Sequence, residues 1–215
     1  MGEKIALMTW HPEILARRQQ RVLAEMGPSL SRRGFYLAGG TAVALHLGHR
    51  RSVDLDWFTA EGLDDPLGLA EMLREEGVAF ITEQAAAGTL HGSIRGVRVS
   101  LLRYRYPLLA GLRAWSGGIR IAARADLAAM KLSAVAQRGA KKDFVDVYAL
   151  GRRLSLRQML GWYQEKHAVQ DLAHVLYSLA YFDDAERERL PRMLWDVSWR
   201  TVKETMRRWL RNVPL

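Results

Sequence analysis

With 215 residues, 49% of them apolar and 26% charged, the chain is long enough to bury a substantial core and has an ordinary globular composition. Cysteine is absent, which excludes disulfides and thiolate metal sites and fits a reducing cytoplasm. No apolar run is long enough to cross a bilayer, and Glu3 and Lys4 ahead of a short apolar stretch do not read as a secretory signal, so no membrane partner is expected. The net charge of +9 points either to a polyanionic partner or to a solubilising surface.

In chain order, Ile14, Leu15, Val22, Leu23 and Met26 recur at close to helical spacing, which predicts a helix over 11–26 that Gly27 and Pro28 end. Ser31 to Gly34 lead into a strand over 35–38. Gly39 and Gly40 then open a short helix over 41–47. Val53 to Phe58 read as a strand. Asp64-Asp65-Pro66 carries the signature of a helix start, with Leu67, Leu69, Met72 and Leu73 on the buried side until Gly77. A strand over 78–82 follows, then a β-hairpin in which 89–94 and 97–104 flank Arg95-Gly96, and a short strand over 119–122.

From Arg124 onward the pattern is helical. Asp126 stands as an N-cap for Leu127, Met130, Ala134 and Val135, and further helices are expected near 143–152, 156–166, 172–181 and 197–210. The chain therefore divides into an α/β part, residues 1–123, and a helical part, residues 124–215. Between Gln84 and Ala125 there is no Asp or Glu, while Arg95, Arg98, Arg103, Arg105, Arg113, Arg120 and Arg124 fall inside that stretch. With Tyr104 and Tyr106 interleaved, the segment suits a nucleic-acid or triphosphate surface; equally, it suits a charged edge that discourages strand-to-strand aggregation. Trp162, Trp195, Trp199 and Trp209 read as core, and Arg207, Arg208 and Arg211 as either a basic surface or a solvated helix face.

The chemistry concentrates around Gly39-Gly40-Thr41 and Asp54-Leu55-Asp56. Residues two apart on a strand leave the same face, so Asp54 and Asp56 are placed together as ligands for Mg²⁺ or Mn²⁺, which takes few protein carboxylates and leaves positions for water and phosphate. Gly39 and Gly40 can adopt angles that a Cβ forbids, and the helix they open presents unpaired N–H groups to an anion. Thr41 either donates to the same phosphate or caps the helix. Arg50 or Arg51 can clamp a phosphate bidentately, or the two form a charged loop with His49. His46 and His49 lack a third matching ligand for zinc, and Ser52 lacks a Ser-His-Asp arrangement.

The run from Tyr36 through Gly39-Gly40-Thr41-Ala42, followed by Gly48-His-Arg-Arg-Ser-Val-Asp-Leu-Asp-Trp-Phe58, resembles the AbiEii/AbiGii toxin family of nucleotidyltransferases, within the DNA polymerase β-like superfamily. Asp126 to Lys131 and Lys142-Asp143-Phe-Val-Asp146 through Leu150 look like the later motif of that family. The resemblance implies an α+β fold, a nucleotidyltransferase-like mixed sheet with flanking helices followed by a C-terminal helical bundle. It also implies an NTP substrate, a phosphate contact for Lys131, and a third acid on a strand within 97–102. Ser100 stands at that position. Either one metal suffices, or Asp143 or Asp146, neighbours on one helix face, completes the site. Otherwise Lys131 pairs with one of them, Asp143 favours the helix dipole, and Asp146 is a surface acid.

These readings lead to a Mg²⁺-dependent enzyme that transfers NMP from ATP or another NTP to a hydroxyl. By resemblance the acceptor is the tRNA 3′ end, and a cognate antitoxin and a role in phage defence accompany the activity. Two other readings stand beside it: a catalytically impaired module that binds RNA or protein, and a transferase acting on a protein or small molecule.

Overall fold

The computed structural model describes residues 9–213; the Glu3 and Lys4 reading lies outside them. A 3₁₀ turn, Pro12–Ile14, precedes helix α1, Arg17–Arg32. Then come strand β1, Tyr36–Ala38, helix α2, Gly39–Leu47, strand β2, Leu55–Thr59, and helix α3, Pro66–Glu75. The hairpin strands β3, Phe80–Ala86, β4, Thr89–Ile94, and β5, Val97–Arg103, lead to two short strands, β6, Arg113–Ala114, and β7, Arg120–Ile121. Helices α4, Arg124–Arg138, α5, Lys141–Gly151, α6, Leu156–His167, α7, Ala173–Ala180, α8, Asp183–Glu186, and α9, Trp199–Arg211, complete the chain. The fold is α+β, as expected.

The seven strands form one sheet in the order β3-β4-β5-β2-β1-β7-β6. β2 runs parallel to β5 and β1 parallel to β7, while the other neighbours are antiparallel. Arg95 and Gly96, with φ of 51° and 72°, make the tight turn between β4 and β5, which a two-residue loop with left-handed central positions favours. One buried apolar cluster runs from Ile14 through Trp57, Leu101 and Leu127 to Met206, so the sheet and the helices share a core.

Local pattern misread two places. The helix expected to stop at Gly27-Pro28 continues through both to Arg32. Gly27 is there for close packing: a Cβ would lie 2.6 Å from the Ile119 side chain and 3.3 Å from Trp57. Helix α1 can therefore settle directly on the sheet, and that burial outweighs the cost of an internal proline of about 3 kcal/mol. Asp126 is not a cap. Ala123 occupies the N-cap, and Asp126, fully buried in the first turn of α4, accepts from the Leu109 and Ala110 backbone N–H groups at 2.9 and 3.2 Å. It also pairs with buried Lys166 at 2.7 Å, which fixes the loop bearing Tyr106 against α6.

Candidate active site

The acid pair sits where β2 begins. Asp54 precedes the first strand residue, and Asp56 lies in register with Ala38 of β1 on one side and Ser100 of β5 on the other. Both line a cavity of about 730 Å³, within the size range of small-ligand sites. Gly39 and Gly40 line it too, together with Arg50, Arg51 and Lys131. Gly39 has φ of +64°, and a Cβ there would lie 2.6 Å from Asp56 Oδ2. Glycine is thus required twice at one residue, by its backbone angle and by the carboxylate against it. The acids and the glycine bend face each other across the same space.

Burial pushes the Asp56 carboxyl up, and the neighbouring Asp54 charge pushes it further. Among the described residues no basic side chain forms an ion pair with Asp56. Arg98, largely exposed, donates to Asp54 Oδ1 at 2.9 Å. Two carboxylates, one of them half-buried and outside every ion pair among the described residues, fit a divalent cation whose remaining ligands come from water and phosphate. Among the described residues no group of three or more His, Cys, Asp or Glu is arranged to hold a metal.

A second acid pair lies behind Lys131. Asp146 is fully buried and accepts from Arg50 Nε at 2.7 Å, Arg50 Nη2 at 2.8 Å and His49 Nε2 at 2.8 Å, and pairs with Lys131 Nζ at 2.7 Å. Asp143, equally buried, pairs with Lys131 at 2.9 Å and with Arg138 at 2.7 Å. Burial alone would raise both carboxyls, but Arg50 and Lys131 hold Asp146 well below the ordinary carboxylate range, and Lys131 and Arg138 hold Asp143 below it. The same contacts overcome burial at Lys131 and raise its ammonium above the usual lysine value. The surface-acid reading of Asp146 is therefore overturned, because α5 packs its Asp146 face against α2 and α4.

Several side chains have fixed partners. Arg50 fills the space beside Gly40, and its guanidinium is held by Asp146 and the Arg51 carbonyl. The Thr41 hydroxyl, 1% exposed, donates to the Asp54 backbone carbonyl, tying α2 to the segment that carries the acids. Burial pulls the His49 imidazole down from its ordinary value against the opposing effect of Asp146, and burial likewise pushes His46 down to about 4 while it bonds the Ala122 carbonyl at 2.9 Å.

Other cavity residues escaped the sequence reading. Phe58, Leu102 and Met130 join Tyr104 and Tyr106 in an apolar wall, with Phe58 and Tyr104 edge to face at 5.6 Å and Tyr104 and Tyr106 at 5.1 Å. His91 comes from β4, and Arg138 and Lys142 from the helices. Arg192 arrives from far along the chain because the Arg51 N–H donates to its carbonyl and Arg50 bridges to Met193. The period-two alternation of β4 and β5 could have flagged His91 as facing Ser100; no local signal marked Arg192.

A glycine bend and paired acids meeting over a mixed sheet define the class, a nucleotidyltransferase, and solved structures share the fold. The nucleotidyltransferase toxin MenT4 of Mycobacterium tuberculosis H37Rv matches with a TM-score of 0.55 at 15% identity, over 90% of this chain and 83% of that one. The antibiotic-resistance factor ANT(2'')-Ia matches with a TM-score of 0.55 at 11% identity, over 72% of this chain and 94% of that one. Residues 21–121 match the family described as nucleotidyl transferase AbiEii toxin, type IV TA system. The uncharacterized protein aq_aa25 of Aquifex aeolicus (strain VF5) is 34% identical over 200 residues, covering 89% of this chain and 94% of its own length. The chain belongs to the AbiEii nucleotidyltransferase toxin family. Lys131, Asp143 and Asp146 lie beyond the matched stretch.

Proposed function

We propose that this enzyme moves a nucleoside monophosphate from an NTP to a hydroxyl acceptor, with Mg²⁺ or Mn²⁺ held by Asp54 and Asp56. The supporting observation is the acid pair opposite the Gly39 bend, with Asp56 outside every ion pair among the described residues, in a cavity of about 730 Å³. A bound divalent cation supplies the positive charge that a reacting triphosphate and its pyrophosphate leaving group need. Gly39, Gly40 and the N-terminal turn of α2 receive phosphate oxygens, and Lys131 faces the cavity with Asp143 and Asp146 holding it in place. Phe58, Leu102, Tyr104 and Tyr106 offer the base an apolar surface. Arg51, Lys142 and Arg192 supply positive charge for the phosphates or for a polyanionic acceptor.

The net charge of +9 favours RNA over a neutral acceptor, and we assign the tRNA 3′ end as that acceptor. Family membership supports a cognate antitoxin that restrains growth inhibition and a place in phage defence; a need for NTP and the lack of cysteine fit the cytoplasm. Among the described residues no helix is long and apolar enough to cross a membrane. The binding-module reading is favoured by one observation, the neutral Ser100 beside Asp56. Incubation with labelled NTPs, Mg²⁺ or Mn²⁺ and either total tRNA or cell lysate separates the readings. Label on RNA, abolished by Asp54→Ala, is the expected result. Label on protein or on an added small molecule would redirect the acceptor assignment, and binding without transfer would leave only the module.

A further inference from the structure

Three side chains occupy one row across the sheet. Asp56 of β2 is in register with Ser100 of β5, which is in register with His91 of β4, and all three line the cavity. His91 Nδ1 lies 3.1 Å from Ser100 Oγ, and Ser100 stands beside Asp56 on the neighbouring parallel strand. A hydroxyl has one proton, and an ionised carboxylate only accepts. A Ser100 proton given to the adjacent Asp56 carboxylate leaves Ser100 Oγ to accept from His91. In that arrangement His91 carries its proton on Nδ1, and Nε2 has the free lone pair.

We propose that Ser100 and His91 together take the place of a third carboxylate, Ser100 steadying Asp56 and His91 Nε2 accepting the proton of the attacking acceptor hydroxyl. The inference rests on the transferase reading above. As that oxygen forms its bond to the α-phosphorus, its proton passes to Nε2; the bond from the phosphorus to the bridging oxygen breaks, and pyrophosphate leaves with the electron pair. The charged groups that line the cavity together with His91 are Asp54 and Asp56 at the start of β2, Arg50, Arg51 and Arg192 from loops, and Lys131, Arg138 and Lys142 from α4 and α5. Imidazole is suited to the task because its neutral form is a base at physiological pH.

The test has two arms. In the intact protein, ¹⁵N NMR of the imidazole is expected to show the proton on Nδ1, and Ser100→Ala to lose that preference; a native Nε2–H tautomer would overturn the proposal without reference to activity. In single-turnover transfer, His91→Ala is expected to lower the rate constant about a hundredfold or more at unchanged NTP affinity, with partial recovery on adding imidazole. Full activity in His91→Ala would overturn the proposal while leaving the transferase intact. A native chain inert toward every acceptor would instead refute the transferase reading, with the tautomer arm still deciding the Ser100–His91 pairing.

Discussion

Two pairs of aspartates in this molecule are treated in opposite ways. Asp143 and Asp146 on α5 are surrounded by Lys131, Arg50 and Arg138, and their carboxyls are held below the ordinary range. Asp54 and Asp56 on the sheet have one exposed arginine between them, and Asp56 is pushed up by burial and by its neighbour. The helical pair is a strut that joins α5 to α4 and to the Arg50 loop. The strand pair keeps a charge deficit that a cation can fill. Compensation separates scaffold from chemistry more sharply than residue type does.

The largest test of this contrast removes a strand acid. Asp56→Asn is expected to reduce transfer at least about a thousandfold, the equivalent of roughly 4 kcal/mol of transition-state stabilisation, with thermal stability unchanged or raised because a like-charge contact is relieved. A loss of stability comparable to the loss of rate would erase the distinction between the pairs. Next, Asp146→Ala leaves Arg50 and Lys131 buried without their shared partner, and denaturant titration should register about 3–5 kcal/mol. Asp143→Ala should cost less, since Arg138 is half exposed and can turn to water.

The helical pair also predicts an acid response. Because the folded-state values of Asp143 and Asp146 are depressed, their contribution is present above the unfolded carboxylate range and is lost as pH falls through the folded values. His46 acts earlier in the same titration. Its folded value near 4, set by burial, lies below the ordinary 6.5, so the unfolded chain binds the proton first and stability falls as pH drops from 6.5 towards 4. The loss amounts to about 3 kcal/mol, and His46→Gln should flatten that part of a stability-versus-pH curve.

Smaller effects sharpen the comparison at the cavity itself. Gly39→Ala must adopt a positive φ and press its methyl on Asp56, so about 1–2 kcal/mol of stability should be lost, together with transfer activity. Arg98→Ala removes an exposed ion pair. Stability should move by less than about 1 kcal/mol, while Mn²⁺ affinity measured by calorimetry rises a few-fold because Asp54 is freed. Weaker Mn²⁺ binding in Arg98→Ala would argue against Asp54 as a ligand.

Much of the frame was written locally. The hairpin around Arg95-Gly96 and the cap at Asp65, whose Oδ1 accepts from Gly68 N at 2.8 Å, depend on residues within a few positions of one another, so periodicity and turn chemistry reveal them. Gly39 and Gly40 next to the Asp54 and Asp56 spacing likewise mark the candidate site before any fold is known, because both turn and strand impose fixed geometry on neighbours.

Partnership was settled only in three dimensions. That Gly27 serves packing against Ile119, that Asp126 ties down a loop through Lys166, and that Asp146 holds Arg50, 96 residues earlier, follow from which surfaces meet. The free energy of a buried charge depends on what lies within a few ångströms of it, and sequence distance carries no information about that. The chain by itself specified which residue types could do the chemistry; the tertiary structure decided which of them already had partners.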